Sequence, residues 1–441
     1  MSLKKLDDLL IKIQKYHPKY IDLNLNRINR LLQDLGNPHQ FLPPTIHIAG
    51  TNGKGSTLSI LRSMLQESGL TVHSYTSPHL VNFNERIRIK DKLISNKFLF
   101  EVLSMTDKVN NNQEITFFEF TTAAAFLAFS KIKADILLLE VGLGGRLDAT
   151  NVVPNVIASI ITEISFDHEH FLGSTLSKIS REKCGIIKNS VPVITVSQKN
   201  EIISVIKENC LNKNAALYLI EKKNFKVSSN SFSFCLDKEN IDIPIPALRG
   251  IHQLDNCALS TSCLKVISKN FKKFDFKKSI KGIKSVNWPA RSELINKGKL
   301  ANKIDKNYVI ILDGAHNVSG AKALSKVLSS IDTEWQLIFG YLKTRKPADF
   351  LNELKSITQK IITTEITGQE NSFSSKELFD IIQKKDPTYS PLALNFIIDN
   401  EIVNDKIKVN ELFDIIIEKT NIENEIKNLI IYKKLFCMMI I

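Results

Sequence analysis

A chain of 441 residues is too long for one compact core and predicts two domains. Its 43% hydrophobic content is enough for a sizeable interior, yet no apolar run approaches the ~18 residues of a membrane span, which argues against a membrane protein. The net charge of +13 favours polyanionic small molecules such as nucleotides; the basic residues are scattered and match no recognition helix or RNA-binding signature, so no nucleic acid is expected.

Six cysteines occur without a CxxC pair, which predicts free thiols in a reducing compartment and neither a zinc site nor a redox pair. The start, Met1-Ser-Leu-Lys-Lys, leads into a charged amphipathic helix and not into an apolar signal core, so the expected location is cytoplasmic. Leu6, Leu9, Leu10 and Ile13 form one helical stripe and Ile28, Leu31 and Leu32 a second, and Pro43-Pro44 ends the segment.

Ile46 and Ile48 then mark a buried strand that runs into Gly50-Thr-Asn-Gly-Lys-Gly-Ser-Thr57, with a helix expected from about Ser56. Strand, flexible turn and helix start make a phosphate cradle: glycines let backbone N–H groups converge, and the helix adds unpaired donors and positive dipole. Lys54 can reach outer phosphates and Ser56 or Thr57 can bind Mg2+, although Ile48 and Gly55 depart from the usual GxxxxGK[ST] spacing. The bland alternative is an ordinary glycine-rich turn.

A short strand at 71–75 and the loop Thr76-Ser-Pro-His-Leu80 follow, and residues 81–90 alternate late in the run as a strand would. Helices are expected over 99–109 and from Thr116-Phe-Phe-Glu119 to Phe129. Ala134 to Val141 is a continuous apolar strand broken by Glu140 near its end, the pattern of a strand buried on both faces of a parallel sheet. A carboxylate there can hold Mg2+; otherwise it is a capping or ion-paired acid. After Gly142-Leu-Gly-Gly-Arg-Leu-Asp-Ala-Thr-Asn151 and a strand over 156–162, His168 lies where it could enter the same crevice, although a lone histidine is more often structural. Lys183 sits in a helix ending at Gly185; solvation is its ordinary state, and burial would disfavour its charge.

A strand at 192–196 completes an alternation that predicts an open α/β sheet with ligands at the strand carboxyl ends. Short β-like pieces occupy 215–246 and a helix spans 252–267. A lysine-rich segment leads to Trp288-Pro-Ala-Arg-Ser-Glu293, and a domain boundary is placed at 295/296. A second α/β unit follows: a strand over 308–312 ending in Asp313-Gly-Ala-His-Asn317, a helix through Leu328, a strand at 335–339, a helix over 347–357 and a strand at 360–364. Arg291 could neutralise phosphate as a planar fork or make a surface ion pair; Asp313 and His316 could reach a nucleotide or form an Asp-Gly turn.

Taken in order, GTNGKGS, SPHL with FNERI, TFFEF, LEVGLGGRLDATN, FDHxxxLG with REKxGI, HQxxN, WPxR and DGAHN resemble the folylpolyglutamate synthase/dihydrofolate synthase family, within the wider Mur ligase group. The resemblance covers about residues 40–350. It implies an α/β fold with an N-terminal P-loop ATPase-like domain (1–295, ATP- and pterin-binding, parallel-rich sheet) and a smaller Rossmann-like glutamate-ligase domain (296–441). It implies an ATP-dependent ligase joining L-glutamate to dihydropteroate or a reduced folate, expected as a monomer. The cofactors would be ATP and one or two Mg2+ ions.

By the same resemblance, Gly50, Thr51, Asn52, Gly53, Lys54, Gly55, Ser56 and Thr57 hold ATP, with Asn256, Arg291, Asp313 and His316 as further nucleotide contacts. Ser56, Ser77, Glu140 and His168 match metal ligands. Lys183 matches a lysine that this group can carry as a carbamate, and with Lys54, Glu140 and His168 completes the expected catalytic set. Thr116, Phe117, Phe118, Glu119 and Asp148 match the pterin-side pocket. A monofunctional folylpolyglutamate synthase, another Mur-type ligase, or a catalytically silent nucleotide-binding protein stand as alternatives. Departures are Ala290 for a usual Gly, Cys184 for Ala and Val318 for Pro, with an unexpected end, Leu429-Ile-Ile-Tyr-Lys-Lys-Leu-Phe-Cys-Met-Met-Ile-Ile441, where a strand, a Gly-Ser turn and an apolar helix are expected.

Overall fold

In the computed structural model the described residues are 3–19, 21–301, 308–366, 371–385 and 437–440. They divide into two compact units: Met1–Ala247 with Gln253–Asn287, and Leu248–His252 with Trp288 onward. The division therefore falls at 287/288, ahead of the expected 295/296, and assigns Trp288–Arg291 to the second unit.

The first unit is built on eight strands: β1 (Thr45–Ala49), β2 (Val72–Tyr75), β3 (Ile87–Ile89), β4 (Lys92–Leu93), β5 (Ile136–Glu140), β6 (Val156–Ile161), β7 (Val193–Val196) and β8 (Leu217–Ile220). Their order is β4-β3-β2-β5-β1-β6-β7-β8. From β2 to β8 every pairing is parallel, and β3 and β4 add an antiparallel edge. β1 and β5 are buried at every position; β5 reads as an apolar run for that reason, whereas β1 places Thr45 and His47 among its buried residues. The chain moves outward from β1 in both directions, so the carboxyl ends of β1, β5 and β6 surround a topological switch point.

Helices cover both faces. On one side Leu3–Gln14, Asn26–Asp34, Asn96–Asn110 and Phe117–Lys131 share a core with Tyr75, Leu137 and Leu139. On the other, Leu176–Cys184 and Asn200–Asn212 pack with Ala49, Val141 and Ile161. The phosphate-loop helix spans Lys54–Glu67, two residues earlier than the expected start at Ser56. The alternation late in 81–90 is strand β3, and the residues ahead of it form a turn. Phe83–Arg86 is one turn of 3-10 helix inside a capping box, because the Glu85 carboxylate accepts from the N–H groups of Leu80, Val81 and Asn82. A separate three-stranded antiparallel sheet follows, β9 (Lys226–Val227), β10 (Ser231–Leu236) and β11 (Glu239–Pro244).

The second unit holds a five-stranded sheet of β12 (Glu293–Leu294), β13 (Ile310–Asp313), β14 (Trp335–Phe339), β15 (Thr358–Thr363) and β16 (Cys437–Ile440), in the order β12-β13-β16-β14-β15. β14 and β15 are parallel, whereas β16 runs antiparallel to both β13 and β14. The unusual chain end thus supplies a central strand; residues 386–436 lie outside the described residues. Among the described residues no helix is long and apolar enough to cross a membrane.

One ion cluster ties the amino-terminal helices to the first unit. Arg27 donates to both oxygens of Glu119 at 2.9 and 3.0 Å, and to the Asp22 carboxylate and carbonyl at 2.8 and 2.9 Å. Glu119 is buried, so removing the guanidinium would leave its charge with only the Thr116 N–H and hydroxyl as donors. Arg27→Met is expected to cost about 3–5 kcal/mol, read as a lowered urea midpoint.

Candidate active site

Gly50 to Thr57 leaves the end of β1 and wraps into the helix at Lys54, with Gly53 in the left-handed region at φ +85°. Two close approaches require glycine. A Cβ on Gly50 would coincide with the Thr162 hydroxyl, and one on Gly53 would strike the Asn256 carboxamide oxygen. Thr51 and Asn52 are fixed by the segment after β6. The Thr51 N–H donates to the Glu163 carbonyl at 2.7 Å, the Asn52 carboxamide to the Glu163 carboxylate at 2.9 Å, and the Thr162 hydroxyl to the Asn52 carbonyl at 2.6 Å. A helix starting here brings its first-turn N–H groups to the loop.

Asn256 stands behind this loop. Its Oδ1 accepts from the buried Thr57 hydroxyl at 3.2 Å and its Nδ2 donates to Gln253 Oε1 at 2.8 Å. On its own helix, His252–Ile267, the Ser260 hydroxyl donates to the Thr57 carbonyl at 3.1 Å. Thr162 and Glu163 belong to no motif in the sequence, and Gln253 enters only through HQxxN. The signal that was available for Glu163 is an acid just past an apolar strand, the same logic that marked Glu140.

Two ammonium groups converge on one backbone oxygen. Lys54 Nζ donates to the carbonyls of Gly50 and Thr51, each at 3.1 Å, and Lys183 Nζ donates to the same Gly50 carbonyl at 2.8 Å. Lys183 is buried, against the ordinary solvated state of a lysine. Burial first, then the Lys54 charge, push it down to about 7, against the pull of Asp167, Glu163 and Asp148.

Glu140 closes β5 opposite Ile48 of β1, and its Oε2 accepts from the Ser77 N–H at 3.3 Å. Ser56 is buried in the first turn of the loop helix. His168 is in a left-handed conformation before the short helix Glu169–Leu172, 3.8 Å from Asp167. Among the described residues no three His, Cys, Asp or Glu side chains form a metal cage. Of the four expected ligands, Ser56, Ser77 and Glu140 offer hard oxygens with a single carboxylate and His168 is the one nitrogen donor, so the set is dominated by oxygen. That fits Mg2+, which keeps several waters and takes its remaining ligands from phosphate.

Thr116 and Glu119 cap the helix Phe117–Lys131 reciprocally, and Phe118 lies against the bare Cα of Gly142 and 6.1 Å from the Tyr75 ring. Phe117 meets Phe83 edge-on at 5.9 Å, with the buried Arg86 guanidinium over both rings. Asp148 is buried and accepts from Leu143 N–H at 2.8 Å, Thr150 N–H at 2.9 Å and the Thr150 hydroxyl. Burial raises its pKa while Thr150 and the backbone of Leu143 and Gly142 pull it back. The same loop docks on the helix carrying Lys183: Arg146 N–H donates to the Glu182 carbonyl at 2.8 Å, and Asn151 Nδ2 to the Gly185 carbonyl at 3.0 Å. Phosphate-loop, acidic and aromatic residues are thus all gathered around the carboxyl ends of β1 and β5.

Arg291, Asp313 and His316 belong to the second unit, where the Asp313 carboxylate accepts from Ser292 N–H at 2.6 Å, Ser292 hydroxyl at 3.1 Å and Ala315 N–H at 2.7 Å. It thereby joins the segments 288–292 and 313–317. His316 Nδ1 is 2.8 Å from the Gly314 carbonyl, and its own carbonyl accepts from Tyr341 at 2.9 Å. Ala290 adopts φ +55°, a left-handed conformation that explains the usual glycine. Ala290→Gly is expected to stabilise the chain by about 1 kcal/mol, measured by thermal unfolding. Val318 opens the helix Val318–Leu328, a position where proline is favoured but not needed.

The Mur ligase middle domain family matches residues 48–264. The chain is 31% identical over 386 residues to the dihydrofolate synthase/folylpolyglutamate synthase of Bacillus subtilis, covering 83% of this chain and 86% of that one. Among solved structures it is similar to E. coli FolC in complex with DHPP and ADP, at 26% identity and TM-score 0.74 over 86% of this chain and 87% of that one. It is similar at 27% identity and TM-score 0.73 to a bifunctional folylpolyglutamate synthase/dihydrofolate synthase with Mn, AMPPNP and L-glutamate bound, over 85% and 87% of the two chains.

Proposed function

This chain belongs to the dihydrofolate synthase/folylpolyglutamate synthase family of ATP-dependent ligases, and from that premise we propose that it adds L-glutamate both to dihydropteroate and to reduced folates. The observation that carries the reading is the convergence of Lys54 and Lys183 on the Gly50 carbonyl at the carboxyl end of β1, with Glu140 closing the neighbouring strand β5 at the switch point. ADP with DHPP, and AMPPNP with Mn and L-glutamate, are ligands of its structural neighbours, which supports a reaction that uses an adenine nucleotide, a divalent cation and glutamate.

The acceptor carboxylate is a poor acyl donor until the γ-phosphoryl group is transferred to it. The backbone N–H groups from Gly53 to Ser56, at the turn and the first turn of the helix, grip the triphosphate, and Lys54 offsets charge as the phosphoryl group moves in line. Ser56, Ser77, Glu140 and His168 would hold Mg2+, which supplies charge neutralisation at the phosphates. Attack by the amino group of glutamate on the acyl phosphate then gives the amide, ADP and phosphate. Phe117 and Phe118 offer aromatic faces to a flat pterin, and Thr116, Glu119 and Asp148 fix the walls on which those faces are mounted. Asn256 holds the loop, and Arg291, Asp313 and His316 are the further nucleotide contacts of this reading. The deciding measurement is ADP release by the purified protein with ATP and glutamate, supplied with either dihydropteroate or tetrahydrofolate. Turnover with both is the expected result. Turnover with tetrahydrofolate alone would make it a monofunctional folylpolyglutamate synthase, and turnover with neither would overturn the substrate assignment.

A further inference from the structure

A histidine is buried in β1, three residues before Gly50, where an apolar residue would be the ordinary occupant. His47 is opposite Leu139 in the register with β5. Its Nε2 lies 2.9 Å from the Thr150 hydroxyl oxygen, and its Nδ1 has no hydrogen-bond partner among the described residues. Such half-satisfaction is costly in a core, so the histidine is not there for packing. The Thr150 hydroxyl has one hydrogen, and it is directed to Asp148. The histidine must therefore donate from Nε2, which fixes the neutral tautomer and leaves Nδ1 bare. Burial, reinforced by the Lys188 charge, pushes the ring down to about 3, so it stays neutral through the working range.

We propose that His47 is a positioning residue for the acceptor: through Thr150 it ties the Asp148 loop to the strand that carries the phosphate loop. His47 Nε2–H locks the Thr150 hydroxyl, the hydroxyl locks one oxygen of Asp148, and the Leu143 N–H takes the other. The three-residue chain joins the wall of the pterin pocket to the nucleotide strand, so the spacing between the acceptor and the phosphate cradle is set by hydrogen bonds rather than by apolar contact alone. This rests on the reading of Asp148 as part of the acceptor pocket.

The test uses the full chain and compares His47→Leu, His47→Gln and Asp148→Asn. His47→Leu is expected to raise the KM for dihydropteroate about tenfold, the scale of one hydrogen bond, with the KM for ATP unchanged and the melting temperature equal or higher. His47→Gln keeps an N–H donor and should recover most of the loss. A lower melting temperature with an unchanged acceptor KM in His47→Leu would overturn the proposal and make the residue structural only. Asp148→Asn separates the two readings. If it leaves the acceptor KM unchanged, the pocket assignment itself fails; if it raises that KM while His47→Leu does not, only the relay fails.

Discussion

Lys54→Met is expected to lower glutamate-dependent ADP release by about 10³-fold while leaving the melting temperature close to that of the parent chain. Methionine has nearly the length of lysine and a good helix propensity, so the helix Lys54–Glu67 keeps its first turn. What is lost is the charge that sits over the Gly50 and Thr51 carbonyls at 3.1 Å. A cation at that place does most when the γ-phosphoryl group is in flight and negative charge is spread over its oxygens. The loss should therefore fall on kcat more than on the KM for ATP, because the remaining backbone donors still hold the ground-state phosphates. A variant that kept glutamate-dependent turnover would remove the phosphate cradle from the mechanism, and with it the ligase reading of this site. A second consequence is electrostatic. Lys54 is one of the charges that hold Lys183 down, so the Lys183 amine should titrate higher in Lys54→Met than in the parent.

The elements that could be read from the sequence are those whose pattern is local. Strand β5 is buried on both faces and so appears as an apolar run, and β1 is marked by Ile46 and Ile48; the helices Leu3–Gln14 and Asn26–Asp34 show their buried stripes at helical spacing. The turn at Phe83–Arg86 was hidden because its cause is a side chain, Glu85, satisfying three preceding N–H groups, which leaves no period in the sequence. The place of β16 between β13 and β14 depends on a partner more than one hundred residues away in the chain, so nothing local announces it. At the site the candidate ligand-binding groups carry a motif, since phosphate chemistry demands glycines, a lysine and hydroxyls together. The groups that hold them do not. Arg27 on a polar helix, Thr162 after an apolar strand and His47 inside one each carry no motif, and their meaning comes from the contacts with Glu119, Asn52 and Thr150.

Lys183→Met separates stability from activity in opposite directions. In the unfolded chain this amine titrates near 10.5, and in the folded chain near 7. Between those values the unfolded state binds the extra proton, so stability rises with pH across the window. Below about 7 both states are protonated, and the folded protein carries the whole cost of a buried ammonium beside Lys54. Above about 10.5 both are neutral and the cost is gone. Methionine removes the cost, so the variant should gain most over the parent at pH 6 and least at pH 10, by at most about 5 kcal/mol at the acid end. Turnover should move the other way and fall about 10²- to 10³-fold. We propose that the working form of this residue is the carbamate: the neutral amine attacks carbon dioxide, an N–C bond forms, and one proton leaves to solvent. The side chain then carries a negative charge and would offer the metal one further oxygen ligand. Because only the neutral amine reacts, parent activity at low bicarbonate should climb as pH rises through 7, added bicarbonate should restore activity at pH 6.5, and carbon-13 bicarbonate should give a carbamate resonance that is missing from Lys183→Met. Full turnover in Lys183→Met, or a parent enzyme indifferent to bicarbonate at every pH, would leave the lowered amine as a structural strain with no chemical use.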